Sequence, residues 1–184
     1  MNEKDIENII TDFKKLRTEY PDYSLIDCAA AKSLEHAIKM AATARNLAGK
    51  KHPHQFRIQN SILQDYSLSL LSIKREISEA ASFGLLYSLV YGCRIKGISD
   101  LTIYDTSHRI GCFLNLSPEE VYLHSGTRKG AEIIVGKIMG KTIRVEQLPS
   151  PFHCGLSPSE LEDMFCIYKS ALQDSLINQR TNKC

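Results

Sequence analysis

Apolar residues return every three to four positions along nearly the whole 184-residue chain, and that helical period leaves little room for a sheet. Ile6, Ile9, Ile10, Phe13 and Leu16 form one stripe, which ends before Tyr20-Pro21 because the residue preceding a proline is pushed out of the α region. Asp22 to Leu47 reads as one long helix with an alanine-rich middle, closed by Ala48-Gly49. Phe56 to Ser78 and Phe83 to Cys93 read as two more. After a break at 94–99, Asp100 to Leu114 is amphipathic, with Leu101, Tyr104, His108 and Gly111 on one face. Ser117-Pro118-Glu119-Glu120 and Ser157-Pro158-Ser159-Glu160 are helix-start signals, the second opening a helix to about Ile177. Gly126 to Ile134 predicts one further helix, and Lys141 to Val145 a short extended piece. The fold class expected is therefore all-α, a single helical domain over 1–184.

Several classes of function drop out on composition. Apolar runs are a few residues long, far below the roughly 20 that span a bilayer, and MNEKDIENII lacks the apolar core of a signal peptide, so the expectation is a cytoplasmic protein without membrane contact. The cysteines at 28, 93, 112, 154, 166 and 184 have no CxxC pair, which speaks against a zinc ribbon or a four-cysteine iron–sulfur loop and for small buried hydrophobes in a reducing compartment. GKIMG at 136–140 lacks the Gly-Lys-Ser/Thr ending of a nucleotide loop. His153-Cys154, in a proline-rich loop, reads as a connection rather than a nucleophilic pair, since chain neighbours seldom point at one another. No cofactor is expected.

Charge is distributed unevenly. Residues 36–156 hold 15 Lys or Arg against 9 acids, whereas 1–35 hold 8 acids and 5 bases, so the middle suits an anionic partner such as nucleic acid. From His36 to Gln64 there are five Lys or Arg and no acid. Within that stretch Lys50, Lys51 and Arg57 are candidate phosphate contacts as point charges, with His54 and Gln55 as hydrogen-bond donors. His52 and His54 suggest a metal pair, but the sequence offers no obvious third ligand, and no metal is expected. A solvated turn accounts for the same residues.

Ile95-Lys96-Gly97-Ile98-Ser99-Asp100-Leu101-Thr102, between a hydrophobic helix and an amphipathic one, places Gly97 where backbone can approach a phosphate and Ser99 where it can cap the following helix, whose unpaired N–H groups attract anions. Arg94 and Lys96 add charge. This stretch resembles the helix-hairpin-helix element of DNA repair proteins, over about 83–114, and departs from it at the second glycine, here Ser99. With Val121-Tyr122-Leu123-His124-Ser125-Gly126-Thr127-Arg128-Lys129-Gly130-Ala131, the resemblance extends to the helix-hairpin-helix DNA glycosylase superfamily over about 83–135. Aligning Arg128 and Ala131 with the basic helix start of that family puts His124 at its catalytic aspartate. The lysine of its bifunctional members falls at Leu101, and the cysteine loop of its iron–sulfur members is missing.

The resemblance implies a monofunctional glycosylase that hydrolyses the N-glycosidic bond of a damaged or modified base, in base excision and DNA repair or in antiviral defence against foreign DNA. Such chemistry needs an extruded base and groups that activate water or stabilise the sugar cation. The candidates are His124, Asp105 and His108, with Tyr104 and Tyr122 to stack on the base. DNA contacts are expected from Arg94, Lys96, Gly97, Ser99, Thr102, Thr127, Arg128 and Lys129 beside the basic turn. Asp105 with Arg109 is also an i,i+4 pair that can be a solvated salt bridge. A helix-hairpin-helix protein that holds DNA or RNA without chemistry fits the same residues, as does a protein-interaction module.

Overall fold

The computed structural model describes residues 3–153 and 155–181. Their helices gather into two units, one built from 22–117 and the other from the segments on either side of it. Helix dominates, as the periodicity predicts, and among the described residues none of the helices is long and apolar enough to cross a membrane. The first stripe forms α1 (Glu3–Glu19), which buries Ile6, Ile9, Ile10 and Phe13.

One cap opens the stretch expected as a single helix from Asp22 to Leu47, and a second, internal cap divides it. The Asp22 carboxylate accepts from the Ser24 amide to start α2 (Tyr23–Ala29), and Ser33, in extended backbone, accepts from the His36 amide to start α3 (Leu34–Thr43). A side-chain oxygen that serves a helix N-terminus holds its own backbone out of the helix, so each cap is also a break. Ala44 then turns left-handed, at φ 53°, and the chain doubles back: the His52 amide donates to the Ala44 carbonyl at 2.8 Å, and Arg45 bridges Lys51. A 3-10 turn, Pro53–Gln55, follows. The next expected helix is likewise split, into α4 (Asn60–Ser72) and α5 (Lys74–Ser78), before α6 (Phe83–Gly92) and α7 (Asp100–Leu114). The core of this unit joins Ile38, Leu63, Tyr66, Leu70, Ile77, Leu86, Val90, Ile98, Ile103 and Ile110.

In the other unit, the helix start expected at Ser117-Pro118 gives no helix. Val121–Tyr122 instead forms β1, paired antiparallel with β2 (Thr142–Ile143) in the register Val121 to Ile143, which buries both apolar side chains. The extended piece expected near 141–145 is half of this ribbon. The remaining helices are α8 (Ser125–Val135), α9 (Pro158–Ile167) and α10 (Lys169–Thr181). Ser157 and Glu160 make the reciprocal cap expected from their spacing. α8 and α9 approach so closely that a Cβ on Gly130 would lie 2.2 Å from the Phe165 carbonyl oxygen. Around them Phe13, Val121, Ala131, Phe152, Leu161, Met164, Phe165 and Leu172 form the second core.

These glycines give opposite expectations. Gly130→Ala forces α8 away from α9 backbone and should destabilise the protein by about 1–3 kcal/mol or more, whereas Gly92→Ala meets nothing within 4 Å and should be neutral or stabilising by up to about 1 kcal/mol. Urea unfolding of the two variants checks both signs.

Candidate functional site

Three segments of the 22–117 unit converge on one buried cation. α7 contributes Asp105 and, one turn later, Arg109; the doubled-back chain after α3 contributes His52, His54 and Gln55; the start of α2 contributes Asp22 and Ser24. Arg109 is 3% exposed. Its Nε donates to Ser24 Oγ at 3.1 Å, and its Nη2 donates to Gln55 Oε1 at 3.4 Å and lies 3.9 Å from Asp105 Oδ2. Ser24 Oγ passes the chain on, donating to Asp22 Oδ1 at 2.6 Å. The Asp105 carboxylate oxygen receives Gln55 Nε2 at 2.7 Å and sits 2.9 Å from His54 Nδ1. Wholly buried Gln55 therefore uses both ends of its amide, accepting from the cation and donating to the anion.

Placement of the histidines is local. His52 caps the 3-10 turn, its Nδ1 accepting from the His54 amide at 3.3 Å, and the two rings meet edge to face with centroids 4.7 Å apart. Burial, helped by the Arg109 charge, pushes His52 down to about 4, so its imidazole is neutral. Burial alone would raise Asp105, but the His54 hydrogen bond and the Arg109 guanidinium outweigh it and hold this carboxyl below its ordinary value. Asp22 is lowered in the same way, burial being overcome by Ser24. Arg109 Nη1 is buried with no hydrogen-bond partner among the described residues. His52, His54 and Asp105 each bring one potential ligand atom to within 4.8 Å of the others. The third potential ligand, which the sequence does not reveal, is thus Asp105, 51 residues beyond His54 in the chain.

The other expected residues have diverse surroundings. At the break before α7, Gly97 is left-handed at φ 95°, the Ile98 amide donates to the Ile95 carbonyl, and Ser99 caps the helix through the Thr102 amide. Lys96 is exposed there. Arg94 instead serves the turn itself, donating to the Ile98 carbonyl at 3.0 Å and to Asp100 at 2.7 Å. Thr102 is buried. Tyr104, 2% exposed, and His108 pack against each other and edge-on against Phe83, at 5.7–6.3 Å between centroids. In the basic turn Lys50 and Arg57 are exposed, while Lys51 Nζ donates to the Ile58 carbonyl and lies 3.2 Å from Asn60 Oδ1.

His124, Tyr122, Thr127, Arg128 and Lys129 belong to the other unit. His124 immediately precedes α8, Tyr122 lies on β1, and Lys129 is exposed. Thr127 is wholly buried and donates to Glu162 Oε1 at 2.6 Å, which removes it from any DNA contact. Arg128 holds the carbonyls of Ile138 and Gly140. Cys154, of the His153-Cys154 pair, and Cys184 lie outside the described residues. The expectation of a solvated Asp105–Arg109 pair is corrected: the side chains are 11% and 3% exposed.

The chain matches no family model, no curated protein and no solved structure. Asp22, Ser24, His52 and Arg109 are the residues that sequence reasoning did not place at the site. The signals were present as His-Pro-His and the Asp105/Arg109 spacing, but nothing local says that one faces the other.

Replacing Arg109 with Met should cost about 3 kcal/mol, because it leaves Asp105 buried without its cation. Arg109→Met with Asp105→Leu should recover much of that loss in urea unfolding. Burial also pushes the thiols of Cys28 to about 12 and Cys112 to about 11. At pH 8 both are protonated, so alkylation there should be far slower than for a free thiol and should rise only above pH 10, as followed by mass spectrometry.

Proposed function

We propose that the protein binds nucleic acid, DNA in the first instance, through the turn at 94–102, and that it hydrolyses an N-glycosidic bond using the His54–Asp105 pair. The observation that carries the binding half is the turn itself. Gly97 in left-handed backbone lets the chain reverse tightly, Ile98 anchors it in the core at 2% exposure, and Lys96 and the capped start of the fifteen-residue α7 remain at its rim. The helix dipole at the start of α7 and the exposed Lys96 ammonium together suit a phosphate. Lys50 and Arg57 on the exposed basic turn supply further point charges of the kind that position a backbone without reading sequence.

The chemical half is favoured by the pairing of a half-exposed imidazole with a nearly buried carboxylate. Asp105 orients His54 through Nδ1, and an imidazole so held can present Nε2 to a water molecule as a general base. Gln55 and Arg109 keep the carboxylate in place. In this reading Asp105 orients the imidazole, and His54, rather than His124, is the residue that activates water. The role that goes with this reading is removal of a damaged or modified base, in repair or in defence against foreign DNA.

Charge reversal of Lys96 and Lys50 should weaken binding to a DNA duplex and lower the salt slope by about one unit per lost contact. His54→Ala should lower base release from damaged or modified oligonucleotides by about a hundredfold while binding survives. Both measurements are made in EDTA. Unchanged affinity and slope in the charge-reversed protein would remove the binding half, and undiminished base release in His54→Ala the catalytic half.

A further inference from the structure

The geometry points to a divalent metal site, of the zinc type, formed by one ring nitrogen each of His52 and His54 and a carboxylate oxygen of Asp105. Two imidazoles and one carboxylate are a donor set that borderline divalent cations prefer, and three protein ligands leave a coordination position for water. The ligand atoms already lie within 4.8 Å of one another, and His54 Nδ1 and Asp105 Oδ2 are 2.9 Å apart. Bonds of about 2.0–2.2 Å to a common cation need donor atoms somewhat over 3 Å apart, so side-chain rotations suffice. A cation would take the place of the proton that His54 and Asp105 share.

The surroundings match what a metal site requires beyond its ligands. Gln55 Nε2 holds the carboxylate oxygen from the side, and the His54 amide holds His52 Nδ1, so two of the three ligands are oriented by a neighbour. The Arg109 charge, which would repel a cation, is shared between Asp105 and, through Ser24, Asp22. Two carboxylates and one guanidinium leave the cluster one negative charge to set against the incoming ion. Arg109 Nη1, buried and with no hydrogen-bond partner among the described residues, is a donor that calls for an acceptor, and a hydroxide on the cation is an acceptor of the right kind. The fold also presets the ligands: Pro53 and the 3-10 turn hold the two histidines, and α7 holds the aspartate. Metal binding itself stands independently of the glycosidic reading.

The test is a calorimetric titration of chelator-treated, dialysed protein with zinc ion at pH 7, without nucleic acid. One equivalent per chain should bind at micromolar affinity or tighter. His54→Ala, on the exposed side of the cluster and therefore safest for the fold, should weaken binding at least tenfold, as should His52→Ala, while His36→Ala and His153→Ala should not. Cobalt-loaded protein should show visible d–d absorption that disappears in His54→Ala. Circular dichroism of each variant confirms that it is folded. No saturable equivalent, or unaltered affinity in folded His54→Ala, overturns the site. Because DNA binding is measured in EDTA, the failure of one proposal is distinguishable from the failure of the other.

Discussion

Burial of the Arg109 guanidinium is the constraint around which the 22–117 unit is organised. A cation removed from water costs several kcal/mol unless its donors are met, and its partners come from three separate pieces of chain. Ser24 is tied to the start of α2 through Asp22, Gln55 to the turn after the doubled-back segment, and Asp105 to α7 itself. Withdrawing any one of them strands a charge beside Cys28 and Cys112, whose raised thiols report how dry the surroundings are. The network is therefore cooperative. Its members hold one another in place, so His52 and His54 are set to a geometry that a loop of this composition would not keep alone.

A similar economy governs the turn before α7. Arg94, which looks like a phosphate contact in sequence, spends its donors on the Ile98 carbonyl and Asp100. Rigidity at the turn and availability of charge are competing uses of the same side chain, and here rigidity wins. Lys96 is left exposed. Lys51 and Arg128 show the same pattern, since both donate to backbone carbonyls. A basic residue count consequently overstates the charge free to meet a partner.

Sequence reasoning was most secure where the physics is local. The stripe of α1, the Ser157–Glu160 cap and the bend at Gly97 each depend on residues within four positions, and all have the expected form. It was weakest at a cap inside a continuous apolar pattern: Ser33 breaks what alanine content alone would have joined. It also missed β1, because two residues carry no periodicity and pair with a strand twenty residues on.

The candidate site divides along the same line. Local sequence determined that 52–55 is a tight turn bearing two histidines and that Asp105 and Arg109 share a face of α7, since both follow from short-range stereochemistry. Only the tertiary structure decided that these faces meet, that the ion pair is buried rather than solvated, and that Asp105 completes a three-donor cluster. The reason is that desolvation, which sets the behaviour of His52, Asp105 and Arg109, is a property of what surrounds a group, and those surroundings come from segments distant in the chain.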